Sequence, residues 1–195
     1  MPGQGINHMY NNRTIAAIFL ILFTASSLNA ARIEGIYFKN SYDIQGRTLT
    51  LRGTALLRYM VFIKAYVGAF YLDQNYPAGE IFNDVAKRLE LSYFHAIPAA
   101  DFAKSTKIMI EKNVTAEKFK TLLPYIEQMN ALYKDVKPGD SYAATYIPGI
   151  GTELALNGKQ LGIVAGLDFA NAYFSIWIGE HPIDKEFRDR LLGKD

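Results

Sequence analysis

The sequence predicts an α+β fold, helices packed against an antiparallel sheet, and three observations carry that prediction. Residues 33–94 are rich in aromatic and β-branched side chains and show little helical periodicity. Residues 99–132 change to the spacing of amphipathic helices. Beyond them come a strand, a tight hairpin and an almost wholly apolar helix, so strands and helices fall in blocks instead of alternating.

The 195 residues suit one domain. Half of them are hydrophobic, 13% are aromatic and 21% are charged, a balance that favours a folded chain with much apolar surface to bury. The net charge of +2, with no Lys/Arg-rich run, gives no reason to expect a nucleic-acid partner. Without cysteine the chain has no disulfide, thiolate metal site or cysteine nucleophile.

At the amino terminus Arg13 precedes an apolar run, Ile15 to Phe23, after which TASSLNA ends on Ala30. That order is the one found in secretory signals, and the run is far shorter than the ~20 residues that span a bilayer. Residues 1–30 are therefore expected to be a signal peptide, with Met9 an alternative start, and residues 31–195 the mature domain. A periplasmic or secreted location follows, with no membrane span left after cleavage.

IEGIYFKNSYDI, GRTLTLRGTA, LLRYMVFIKAYVGAFYL and AKRLELSYFHAI are the candidate strands, the third and fourth separated by NYPAG. Residues 99–113 form a first helix. Thr115 caps a second, AEKFKTLLPYIEQMNALY, which Pro124 is expected to kink or split. After the strand SYAATYI, Asn157-Gly158 between Leu154/Leu156 and Leu161/Ile163 predicts a two-residue hairpin. Gly149 and Gly151 are followed by a strand and not by a helix N-terminus, which speaks against a phosphate loop. Residues 166–178 read as a buried helix, and Asp184 starts a short tail helix.

Candidate chemistry is sparse. His8, His95 and His181 are too few and too scattered for a zinc site, and no nucleophile elbow or nucleotide fingerprint is present, so no catalytic residue, metal or cofactor is assigned. What stands out is Leu56 to Leu72. Read as one extended strand, its odd positions are all apolar, whereas its even positions place Arg58, Lys64 and Tyr66 among apolar neighbours. Such a face could line a pocket for an apolar carboxylate. Equally, Arg58 and Lys64 could lean out to the open side of the sheet while Tyr66 packs as ordinary half-buried aromatic surface.

GTALLRYMVFIKAYVGAFYL, YIPGIGTELALNGKQLGIVAGLDFANAYFSIWIG and HPIDKEFRDRLLG, in that order, resemble the chalcone isomerase-like family, in particular its exported bacterial branch. The resemblance implies an open-faced β-sandwich, a large antiparallel sheet with a layer of helices against it. It implies a ligand-binding role for Arg58, matching an arginine that points into the family's cleft. It implies another for Tyr66, matching a tyrosine that shares the carboxylate in the fatty-acid-binding relatives. Phe102 and Met109 stand where the isomerases carry a tyrosine and an asparagine, which weakens the case for ring closure.

The resulting expectation is a non-catalytic binder of a fatty acid or similar apolar anion, with Met60, Phe62, Phe169 and Tyr173 sheathing the tail. Two alternatives stay open: an intramolecular lyase or isomerase acting on chalcone-like substrates, and an interaction module of the cell envelope. A continuous strand separates Arg58 from Tyr66 by ~26 Å, so the two can share a ligand only if the chain bends between them.

Overall fold

The computed structural model describes Met1, residues 30–60 and residues 62–194; the leader reading lies outside the described residues. A small hairpin, β1 (Ala31–Ile33) and β2 (Ile36–Phe38), precedes a seven-stranded sheet. Its strands are β3 (Ser41–Ile44), β4 (Arg47–Tyr59), β5 (Ile63–Asp73), β6 (Lys87–Tyr93), β7 (Ser141–Ile147), β8 (Gly151–Leu156) and β9 (Lys159–Val164). They lie in chain order and every neighbouring pair is antiparallel.

Helices α1 (Ala99–Asn113) and α2 (Ala116–Leu132) are inserted between β6 and β7, and α3 (Leu167–Ile178) and α4 (Lys185–Leu191) follow β9. All four pack with one face of the sheet in a single core that includes Phe70, Leu89, Ile126, Phe174 and Phe187. The opposite face has a smaller apolar cluster, Leu49, Val67, Ala69 and Tyr71, covered by Ile33, Ile36 and Phe38 of the β1–β2 hairpin. The α+β reading of the sequence is the architecture observed.

The segment IEGIYFKNSYDI is divided among three short strands: Glu34-Gly35 turns the chain from β1 into β2, Lys39 and Asn40 separate β2 from β3, and Gln45-Gly46 turns β3 into β4. Glu34-Gly35 and Gln45-Gly46 have φ of 51° and 84°, and 52° and 73°, matching Asn157-Gly158 at 51° and 77°. Each closes a two-residue loop, as the pairings Ile33↔Ile36, Ile44↔Arg47 and Leu156↔Lys159 show. Only the Asn-Gly pair is recognisable without the structure, since Glu and Gln are unusual at a left-handed position.

Helix caps follow the sequence closely: Thr115 accepts the Lys118 N–H at 3.2 Å and Asp184 accepts the Phe187 N–H at 2.7 Å. Pro124 does not split α2, which runs unbroken through it. Leu122, Ile126 and Met129 on the same helix are all buried, and that packing holds the helix together across the missing N–H.

The largest departure from the sequence reading is at Leu56–Leu72, which is two strands and not one. The chain reverses between Tyr59 and Ile63, with Met60 at φ 49° and the Phe62 N–H donating to the Met60 carbonyl at 2.7 Å. Tyr59 pairs with Ile63 and Arg58 with Lys64, but Leu57 pairs with Tyr66, leaving Ala65 as an extra residue. No Gly, Pro, Asn or Asp marks this turn, which is why pattern alone reads through it.

Candidate functional site

Between the sheet and the helices lies a cavity of about 150 Å³. Its floor is formed by β5 to β8 through Tyr66, Leu91, Tyr93, Tyr142, Ala144 and Leu154, and its roof by α1 and α3 through Phe102, Thr106, Met109, Tyr173, Ile176 and Trp177. Tyr133, at the C-terminal cap of α2, closes one side. Aromatic edges do much of the packing: Tyr93 meets Tyr66, Phe102 and Tyr142 with ring centroids 5.4 to 6.1 Å apart.

The polar side chains of this wall are hydroxyls, one indole and the carboxylate of Asp101. Thr106 Oγ1 and Tyr133 OH are 2.8 Å apart, and Tyr133 OH and Tyr173 OH are 3.0 Å apart. Three hydroxyls joined by two bonds leave one proton without an acceptor among the three. Trp177 Nε1 donates to Tyr66 OH at 3.2 Å, which leaves the Tyr66 proton free of that bond.

Burial pushes Tyr133 up to about 12, opposed in part by its bonds to Thr106 and Tyr173, and pushes Tyr93 and Tyr173 well above the ordinary tyrosine range. Tyr66 is raised for the same reason, with the Trp177 bond opposing. All four therefore remain neutral hydroxyls at physiological pH, able to donate hydrogen bonds. Asp101 is the one ionisable carboxylate of the lining, and no Lys, Arg or His contributes to it among the described residues.

Tyr66 is thus in the cavity wall, 7% exposed. Arg58 is not. It lies on the face covered by the β1–β2 hairpin, where its Nη2 is 3.8 Å from Glu34 and the Lys64 ammonium is 2.5 Å from the same carboxylate. The reversal between Tyr59 and Ile63 does bring Arg58 and Tyr66 onto neighbouring rungs of the β4–β5 ladder, yet the Ala65 bulge rotates Tyr66 to the helix side. Without that extra residue Tyr66 would pair with Leu56 and share the face of Arg58. Arg58 and Tyr66, both expected to hold the ligand, therefore lie on opposite faces of the sheet, the tyrosine in the cavity wall and the arginine leaning out beside Glu34.

Of the tail-sheathing candidates, Tyr173 lines the cavity and Phe169 is buried beside it, ring centroids 5.7 Å apart. Met60 and Phe62 are at the exposed hairpin tip, 69% and 87% exposed. The sequence reading missed Tyr93, Thr106, Tyr133, Tyr142 and Trp177, which four separate elements and a helix cap bring together. The one available signal was the density of tyrosine, 13 in the chain.

The chalcone isomerase-like family model matches residues 30–193, and the chain belongs to that family. Among solved structures, that of a fatty-acid binding protein from Arabidopsis thaliana superposes with a TM-score of 0.62 at 18% sequence identity, covering 82% of this chain and 92% of that one. At that identity the likeness is one of fold. Compared by sequence with curated proteins, the chain matches none.

Proposed function

We propose that this protein is a non-catalytic binder of an apolar, fatty-acid-like molecule, held in the cavity between the sheet and α1/α3. The observation that carries the reading is the chemistry of the wall: mostly apolar and aromatic, with a few converging hydroxyls, the usual composition of a small-molecule site. Phe102 and Met109, standing where isomerases are expected to carry a tyrosine and an asparagine, both line the cavity and neither can move a proton. The fatty-acid-binding structural neighbour supports the same reading.

The oxygen-bearing head of the ligand takes a hydrogen bond from Tyr66 or from the unpaired hydroxyl proton of the Thr106–Tyr133–Tyr173 group. A wall with hydroxyl donors, a carboxylate and no cation favours a protonated carboxyl or another neutral oxygen head over a bare carboxylate, because burial without a counter-charge disfavours the anion. At about 150 Å³ the cavity is below the ~300–1,000 Å³ of drug-sized sites, so a long chain extends out of it or spreads the helices. We also propose that residues 1–30 are a signal peptide and that the protein belongs to the exported bacterial branch of the family, periplasmic or secreted, a reading supported by Arg13 ahead of the apolar run Ile15 to Phe23 and checked by sequencing the amino terminus of the protein as isolated from cells.

Trp177 is the lone tryptophan and stands in the cavity wall. Titration with a conjugated-polyene fatty acid should quench its emission by energy transfer and be reversed by unlabelled palmitic acid, and native mass spectrometry should show one ligand per chain. Unchanged Trp177 emission at saturating polyene, together with a ligand-free mass, would overturn the proposal.

A further inference from the structure

The β4–β5 hairpin ends in a knob of apolar side chains that serves no part of the core. Tyr59, Met60, Phe62 and Ile63 are 64%, 69%, 87% and 44% exposed, four large residues within five positions, whereas Leu49, Phe70 and Leu72 of the same two strands are fully buried. Single exposed hydrophobics need no explanation, but a contiguous projecting group does. Immediately behind the knob stand Arg58 and Lys64, half-exposed, with Glu34 as their shared partner. Two cations against one carboxylate leave this collar with a net positive charge.

We infer that this hairpin tip docks on a lipid bilayer, its apolar residues entering the interface while Arg58 and Lys64 meet anionic headgroups. Aromatic and aliphatic side chains flanked by basic ones match the layering of a membrane surface, where rings settle at headgroup depth and Lys/Arg snorkel to phosphate. The knob is exposed on both faces of a two-stranded ribbon, which suits immersion in a fluid phase better than seating on a flat protein surface. Positive charge immediately behind the apolar tip adds attraction to anionic lipid.

The location gives docking a use. Tyr66, in the cavity wall, is three residues from Ile63, and β5 continues directly from the knob into that wall. A docked tip therefore brings the cavity close to the source of apolar ligands. The inference itself rests on the exposure and charge of the tip and stands apart from the ligand reading, so a protein with an empty cavity could still dock.

The test uses the full chain with Phe62→Trp, a substitution at an exposed position that circular dichroism should show to be folded, and vesicles of phosphatidylcholine with or without a minor fraction of phosphatidylglycerol. Vesicles should blue-shift the emission of this variant, more strongly with phosphatidylglycerol, and brominated lipid should quench it, while the unsubstituted protein with Trp177 alone responds far less. Met60→Ser/Phe62→Ser should lower the partition coefficient in flotation by roughly a hundredfold, about tenfold per buried side chain removed. Emission indifferent to vesicles, flotation unaltered by the double substitution, or a concentration-dependent dimer lost in that double variant would each overturn the docking reading, the last in favour of a second copy of the chain.

Discussion

The two faces of the sheet treat charge in opposite ways, and β6 shows both. Lys87, fully buried on the helix side, donates to the Ile81 carbonyl at 2.6 Å, Asn171 Oδ1 at 2.8 Å and the Asn83 carbonyl at 3.4 Å. One residue on, Arg88 turns to the other face, where it pairs with Glu90 at 3.3 Å and bonds Thr145 at 2.8 Å. On the helix side a charge is kept only by saturating it with oxygen atoms, and it ties the 81–83 loop to α3. On the outer side, partial solvent access lets ion pairs form between ordinary surface residues, as with Arg58, Lys64 and Glu34. The difference teaches where a ligand can go: among the described residues the helix face has a cavity with no cation in its wall, and the outer face has cations but a hairpin over it.

The harshest way to break the contrast is to stop a helix from seating. A Cβ at Gly53 would lie 2.0 Å from the Arg190 carbonyl oxygen of α4, and the neighbouring backbone leaves it no room. Gly53→Ala should cost about 3 kcal/mol or more in chemical denaturation, at or beyond the upper end for overpacking.

Lys87→Met comes close behind, since it strands three oxygen acceptors that the ammonium had satisfied; about 3 kcal/mol is expected. Burial lowers the Lys87 pKa from 10.5 to about 8, with Asp84 opposing. Between those values the unfolded chain holds more protons than the folded one, so this group makes stability rise with pH there. Its desolvation penalty is fully present below pH 8. Urea titrations from pH 8 to 10 should show a positive slope in the parent relative to Lys87→Met, and equal slopes would place the ammonium's proton elsewhere.

Tyr66→Phe and Arg58→Ala sharpen the comparison at its finest point, two residues on adjacent rungs. Tyr66→Phe leaves the buried Trp177 N–H without its acceptor, which should cost about 1–3 kcal/mol of stability, and it should weaken polyene fatty-acid binding about tenfold. Arg58→Ala loses only a long, half-exposed contact to Glu34 and should change stability by about 0–1 kcal/mol, with ligand affinity within about threefold. A larger affinity loss for Arg58→Ala than for Tyr66→Phe would return the head-group role to the arginine.

How much of this was legible varies by kind of signal. Caps at Thr115 and Asp184, the Asn157-Gly158 turn, the break between Asn75 and Gly79 and the greasy helix after Gly166 are local effects, each stated by a few adjacent residues. The reversal between Tyr59 and Ile63 was hidden because a left-handed position there is held by Met60, a residue whose type does not announce a turn. The cavity was hidden for a different reason. Its hydroxyls come from β5, β6, β7, α1, α3 and the end of α2, and no spacing in the chain predicts that Thr106, Tyr133 and Tyr173 will meet.

The sequence by itself determined the α+β class, the order in which blocks of strands and helices follow one another, and the apolar aromatic character of whatever the core encloses, because periodicity, capping and turn chemistry act over a few residues. Only the tertiary structure decided that Tyr66 faces the helices while Arg58 faces away. That choice turns on one extra residue, Ala65, in the pairing of β4 with β5. A side-chain period of two makes a single inserted residue enough to exchange the faces of a strand.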